Sequence, residues 1–270
     1  MLKKLNTMYF SATGTTKKVL DEIAEKLLKN IDILKGDTID FTLPDIRKNS
    51  VLFSENDILL IGIPVYAGRV PNVLLKYLNS IKGKRSKAIP IVLYGNRNYD
   101  DALIELNDIL SNNGFDVIAA ASFIGEHSFS YTLAKNRPDA SDLSIARNFG
   151  DEIYNKIKKN IDKDLNIKGL HPYRKYYIPK DEVGNPVDIR KITPKTNNTC
   201  IDCKLCVEIC PMGSIDYEDV SILNGICIKC GACIKRCPTN SKYFDDEGYL
   251  RHKRELEYEF KGRKSPDIFI

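Results

Sequence analysis

Eight cysteines carry the most specific chemistry in this sequence, and all eight fall between residues 200 and 237. Cys200, Cys203, Cys206 and Cys210 stand as C-x2-C-x2-C-x3-C before Pro211. Cys227, Cys230, Cys233 and Cys237 repeat that spacing before Pro238, 27 residues further on. Three thiolates from one tight loop suit three irons of a cubane cluster, and the fourth iron then needs a thiolate from elsewhere. In paired sites of this spacing the last cysteine crosses to the other cluster. The expected ligand sets are therefore Cys200, Cys203, Cys206 and Cys237 for one [4Fe-4S] cluster, and Cys227, Cys230, Cys233 and Cys210 for the other. The nearby apolar side chains (Ile201, Leu205, Val207, Ile209, Ile215, Ile226, Ile228, Ile234) are too few for a self-sufficient core. Metal binding must then supply much of the folding energy. Structural zinc and a disulfide framework are the competing readings. Zinc knuckles of the C-x2-C type usually sit further apart, and disulfides need an oxidising compartment. Neither accounts for four thiolates in eleven residues, duplicated, each set ending in proline.

At these residues the chain resembles bacterial two-cluster ferredoxins, over about 40–45 residues. The whole chain of 270 residues is long enough for about two domains, and 43% hydrophobic content is ordinary for a globular protein. The net charge of +5 is uneven: residues 151–197 carry 11 basic against 7 acidic side chains. That surplus suits a solvated surface or an acidic partner protein, and no basic, aromatic-interleaved face points to nucleic acid. Met1-Leu2-Lys3-Lys4 has the charge of a signal sequence, but Asn6 and Thr7 interrupt the apolar run at once. No apolar stretch approaches the ~18 residues of a membrane span. The expectation is a cytoplasmic chain, where thiols stay reduced.

The rest of the sequence must position something for the clusters to talk to. Leu5–Phe10 reads as a strand, and Val19, Leu20, Ile23, Ala24, Leu27 and Leu28 recur at helical spacing. Between them lies Ser11-Ala12-Thr13-Gly14-Thr15-Thr16. A strand, a hydroxyl-rich loop with one glycine and a helix make an anion site, because backbone N–H groups and the helix dipole face the ligand. A plain Ser/Thr-capped helix is the simpler alternative. The loop lacks both G-x-x-x-x-G-K-[ST] and G-x-G-x-x-G, so a phosphomonoester fits better than a nucleoside triphosphate or a dinucleotide. A second strand falls within 33–41. Ile58–Ile63 is a buried-type strand leading into Pro64-Val65-Tyr66-Ala67-Gly68-Arg69, and Ala88–Tyr94 leads into Gly95-Asn96-Arg97-Asn98-Tyr99. A fifth strand spans 115–124, and Asp139 or Ser141 caps a helix reaching about residue 159. This β-α alternation predicts an α/β fold, with a five-stranded parallel sheet covered on both faces and its ligand at the carboxyl ends of the strands.

The three loops 11–16, 64–69 and 95–99 resemble the phosphate loop and the two flavin-flanking loops of flavodoxins, over roughly residues 1–160, which implies the 2-1-3-4-5 strand order. The resemblance implies FMN, with its phosphate on Ser11, Thr13, Gly14, Thr15 and Thr16. The ring would lie between Pro64, Val65, Tyr66, Ala67 and Gly68 on one side and Gly95, Asn96, Arg97, Asn98 and Tyr99 on the other. Tyr66 and Tyr99 are candidates to stack on the isoalloxazine, or else core or rim tyrosines. Gly68 either turns the backbone toward the ring or simply makes a turn. Arg69 and Arg97 depart from the acidic flavin surroundings of flavodoxins: a cation there would raise the flavin potential, unless both point to solvent. His127, after the fifth strand, is a weak candidate proton donor, and the ordinary alternative is a hydrogen-bonded loop histidine.

Residues 161–197 read as a connector packed through Tyr173, Tyr176 and Tyr177, residues 198–240 as a small α+β ferredoxin domain, and 241–270 as a tail with one exposed helix. Together the halves resemble the flavodoxin–ferredoxin fusion proteins of anaerobic bacteria and archaea. That resemblance implies electron transfer between two [4Fe-4S] clusters and an FMN, and on to or from an external redox partner. The alternative is an FMN-dependent reductase of a small organic substrate at Tyr99, Arg97 or His127, fed by the clusters.

Overall fold

The computed structural model describes residues 3–30, 32–161 and 164–270. Met1 and Leu2 of the charged amino-terminal stretch, and two connector residues, lie outside the described residues. The chain runs β1 (Lys3–Tyr9), α1 (Thr15–Leu28), β2 (Ile33–Asp40), β3 (Leu52–Phe53), β4 (Asp57–Pro64), α2 (Asn72–Ser80), β5 (Lys82–Gly83), β6 (Ser86–Tyr94), α3 (Ala102–Asn112), β7 (Phe115–Val117), β8 (Ala120–Ile124) and α4 (Ala140–Lys158). It continues through β9 (Lys195–Thr196), α5 (Leu205–Glu208), α6 (Ala232–Lys235), β10 (Lys242–Tyr243), α7 (Glu247–Glu259) and β11 (Asp267–Phe269).

The main sheet is ordered β2-β1-β4-β6-β8, all parallel, which is the flavodoxin-like 2-1-3-4-5 order once the short strands are set aside. Helices cover both faces, so the central strands read as unbroken apolar runs: Ile58 to Ile61 and Ile91 to Val92 are fully buried. Val19, Leu20, Ile23 and Leu27 of α1, with Ala146, Phe149 and Ile153 of α4, fill one side. Leu74 and Leu78 of α2, with Leu103, Leu106 and Leu110 of α3, fill the other. Asp139 caps α4 in a capping box with Asp142.

Three expectations need correction. The fifth strand is split, with β7 and β8 both pairing with β6. The sheet is not five-stranded, because β11 adds antiparallel to the outer edge of β8. The tail is no exposed helix either: Tyr249, His252 and Leu256 of α7 are buried. Periodicity could not reveal this, because three-residue strands carry too little pattern and mixed-charge helices hide a narrow apolar stripe. Within the connector, β9 pairs antiparallel with β10. Among the described residues no helix is long and apolar enough to cross a membrane.

Candidate cofactor sites

The cysteine segment is two copies of one local design. Asp202 and Lys229, two residues into each repeat, share left-handed backbone at φ 52° and 54°. Lys204 and Gly231 do likewise at 60° and 76°, and each starts a one-turn helix, α5 or α6. After each repeat the chain doubles back, and a buried serine N–H approaches the last sulfur. Ser214 N lies 3.5 Å from Cys210 Sγ, and Ser241 N lies 3.3 Å from Cys237 Sγ.

The eight thiols line two cavities. Cys200, Cys203, Cys206 and Cys237 surround one of about 350 Å³, and Cys210, Cys227, Cys230 and Cys233 surround another of about 420 Å³. Cys233 touches both. All eight cysteines are free thiols in this structure. Two four-thiol cradles of this kind fit two cubanes.

The third cavity, a cleft of about 490 Å³ part-open to solvent, lies at the carboxyl end of the main sheet. It is walled by Ala12, Thr13, Thr15 and Thr16, by Pro64, Val65 and Tyr66, by Leu93, Tyr94 and Gly95, and by Gly125, Glu126, His127 and Ser128. Its last wall residue is Cys230. At one end α1 begins after Gly14, whose φ of 86° turns the loop into the helix with no side-chain cap and no acid in the first turn. The amide hydrogens of Thr15 and Thr16 have no acceptor within the helix. That donor set, with three threonine hydroxyls, suits an anion.

Several expected contacts are spent elsewhere. Ser11 Oγ accepts the Lys17 N–H at 3.0 Å, so it shapes the loop and is absent from the cleft wall; Gly14 supplies only the turn. Ala67 and Gly68, both at positive φ, are the corners of a two-residue turn closed by mutual hydrogen bonds between Tyr66 and Arg69. A Cβ on Gly68 would lie 2.2 Å from Asp100 Oδ2, so this glycine answers to a partly buried carboxylate. Arg69 is clamped on Glu105 and lies over the Tyr173 and Tyr176 rings at 4.7 and 5.1 Å. Arg97 pairs with Asp100 and lies 4.6 Å over Tyr177. The connector thus captures both guanidiniums, and neither lines the cleft. Asn98 is exposed and caps Asp100 N.

Of the loop after β6, only Gly95 lines the cleft, because the tail takes the remainder. Asn96 Nδ2 donates to the carbonyls of Phe260 and Gly262, and Lys264 Nζ to that of Arg97. Tyr99 is a core tyrosine, 6% exposed, donating to Asp267 of β11 at 2.7 Å; burial and that carboxylate push its phenol up. Tyr66 does line the cleft, and burial beside Cys230 and Cys227 holds its phenol protonated.

His127 lines the cleft with its ring against Gly95, where a Cβ would meet His127 Cδ2 at 2.4 Å. Its Nδ1 accepts the Phe129 N–H at 3.1 Å, which leaves the proton on Nε2. Burial, then the charges of Lys235, His252 and Arg97, draw its pKa down to about 3. It is a neutral hydrogen-bond donor near pH 7.

The contact between the cysteine segment and this cleft was not foreseen. Lys235 Nζ, at the end of α6, binds Glu126 Oε1 at 2.5 Å and the carbonyls of His127 and Ser130 at 2.7 Å each. Arg47 reaches the Pro211 carbonyl, and Ala232 is buried in the core shared with α2 and α3. A Cβ on Gly231 would lie 2.7 Å from Ser128 O. The signal was in the duplication: Gly231 stands where the other repeat has Lys204, and the repeat that loses its side chain is the one pressed against the sheet domain.

Residues 199–241 match the family model described as a 4Fe-4S dicluster domain. This segment is a 4Fe-4S dicluster domain. A comparison with curated proteins found no match. Among solved structures the chain is similar to a flavodoxin from the domain Archaea, at 16% identity and TM-score 0.41, covering 57% of this chain and 99% of that one. It is similar also to oxidised flavodoxin 2 from Bacillus cereus, at 13% identity and TM-score 0.41, covering 57% and 99%. A third is the flavodoxin of Fusobacterium nucleatum bound to flavin mononucleotide, at 19% identity and TM-score 0.37, covering 60% and 100%. The cysteine segment packs against the parallel-sheet domain through Gly231, Ala232 and Lys235.

Proposed function

We propose that this chain is an electron-transfer flavo-iron-sulfur protein. Two [4Fe-4S] clusters, one on Cys200, Cys203, Cys206 and Cys237 and one on Cys227, Cys230, Cys233 and Cys210, exchange electrons with an FMN in the cleft and with an external redox partner. One observation carries the reading: Cys230 belongs to the wall of its own cysteine cavity and to the wall of the cleft. When bound, the clusters supply one-electron chemistry and the flavin one- or two-electron chemistry.

The chain's own residues do the positioning. The amides of Thr15 and Thr16 and the hydroxyls of Thr13, Thr15 and Thr16 would hold the FMN phosphate. Pro64, Val65 and Tyr66 would flank its ring on one side, with Gly95 and His127 on the other. Lys235 neutralises Glu126, so the cleft wall is not left with an uncompensated carboxylate. Gly231 lets the backbone of the second cysteine loop touch the loop after β8. The alternative of a small-molecule reductase rests on Tyr99, Arg97 and His127; the first two are committed outside the cleft, and no observation favours it.

The test is anaerobic purification followed by analysis of iron, acid-labile sulfide and flavin. About eight irons, two cubanes of four, and one FMN per chain are expected. Tightly bound zinc without sulfide would sink the proposal. Cys237→Ser should then unsettle the cluster held by Cys200, Cys203 and Cys206 and spare the one held by its own repeat.

A further inference from the structure

Two lysines, Lys229 in the dicluster segment and Lys242 just after it, are buried without a carboxylate. Lys229 is 7% exposed and Lys242 is 2% exposed, against a general rule that ammonium groups stay in water unless paired. Lys229 Nζ donates to the carbonyls of Arg190 at 2.5 Å and Cys227 at 3.0 Å. Lys242 Nζ donates to the carbonyl of Val220. Neither forms an ion pair among the described residues. The carboxylate that acts on Lys229 is that of Asp188, whose two oxygens are already held by the Arg190 guanidinium at 2.8 and 2.9 Å. Carbonyl dipoles alone are poor compensation for a full charge removed from water.

What surrounds these ammonium groups is sulfur. Lys229 lies in the wall of the cavity lined by Cys210, Cys227, Cys230 and Cys233, and its charge acts on Cys227. Lys242 lies in the wall lined by Cys200, Cys203, Cys206 and Cys237, and its charge acts on Cys206 of that set and on Cys233 of the other. The repeats differ at this point. Asp202, the counterpart of Lys229, is exposed and paired at 2.8 Å with Lys204, so it leaves little net charge beside the first set.

We infer that Lys229 and Lys242 are the counter-charges of the two clusters, Lys229 serving the second alone and Lys242 lying between both. The inference rests on the ligand sets proposed above. A thiolate-ligated cubane is anionic and becomes more so on reduction, so a buried cation beside it favours the reduced state and raises its potential. Each lysine is then electrostatically satisfied only when its cluster is in place.

The experiment is an anaerobic potentiometric titration followed by EPR, on the full chain and on Lys229→Met and Lys242→Met, with Lys229→Arg and Lys242→Arg as charge-keeping controls. Iron and sulfide are assayed first. Fewer than about eight irons in the parent chain would defeat the cofactor reading itself, before the lysines are tested. With both clusters present, Lys229→Met should lower one reduction step and leave the other, whereas Lys242→Met should lower both. At an effective dielectric constant of ~20, a unit charge ~10 Å from the added electron alters the reduction equilibrium about tenfold. That corresponds to ~59 mV for one electron. The arginine variants should stay near the parent. Methionine variants that load no iron while the arginine variants load fully would also support the inference. Fully loaded methionine variants with unmoved steps would overturn it, as would equal failure of the methionine and arginine variants.

Discussion

Replacing Gly231 by alanine tests how closely the two domains must fit. Gly231 has φ of 76°, and a Cβ there would meet Ser128 O at 2.7 Å, closer than side-chain carbons approach a backbone oxygen. Backbone strain of a non-glycine residue in the left-handed region costs about 1 kcal/mol. Forcing an extra methyl against a fixed carbonyl adds about 1–3 kcal/mol. The total for Gly231→Ala is therefore about 2–4 kcal/mol. Two internal controls separate the terms. Lys204 holds φ of 60° in the other repeat, so the loop itself accepts a side chain at this place. Gly184 has φ of 89° with nothing within 4 Å, so Gly184→Ala should cost only the strain. The assay is anaerobic denaturation of the iron-loaded chains, followed by cluster absorbance, since the sequence has no tryptophan. Equal losses for the two variants would refute the argument that Ser128 sets the spacing.

Arg137→Met should cost up to about 3–5 kcal/mol by taking the paired guanidinium from the fully buried Asp142 carboxylate, which keeps only Arg263 at 3.7 Å and the Asp139 N–H, a loss measurable as a lowered denaturation midpoint. His127 titrates at about 3 when folded against 6.5 ordinarily, so the unfolded chain binds more protons between those values. Stability is then full above about pH 6.5 and falls as pH drops toward 3; urea midpoints at pH 7 and 5 should show a shallower fall for His127→Asn. Deleting residues 265–270 removes β11, bares the edge of β8 and takes Asp267 from Tyr99; the expected result is a lower midpoint with increased light scattering from edge-to-edge association.

The parallel sheet was legible because its strands are buried on both faces and its helices keep a clear 3.6-residue period, as in Val19, Leu20, Ile23 and Leu27. The duplicated cysteine motif was legible because metal ligands impose spacing directly on the sequence. Loop contacts were less so. A loop after a strand end is easily located, but the partner of each side chain depends on segments far away in sequence. Tyr99 and Arg97 were drawn from the cleft by Asp267 and Tyr177, respectively 168 and 80 positions later. The tail escaped notice for the same reason: its attachments are scattered hydrogen bonds and ion pairs, a narrow buried stripe on α7 and one three-residue strand, none of which leaves a strong periodic trace. His127 was found by position, but its state follows from burial, which no local pattern announces.

The dicluster domain is moored from both of its ends. Before it, Leu170, Arg174, Tyr176 and Tyr177 bind Asp101, Val70 and Ala67; after it, α7 and β11 return to the sheet domain. Such a unit has no room to swing like a carrier on a flexible leash, and no diffusive search should precede charge exchange inside the chain. Internal exchange should therefore be indifferent to solvent viscosity, and any viscosity dependence in turnover would report the meeting with an outside molecule.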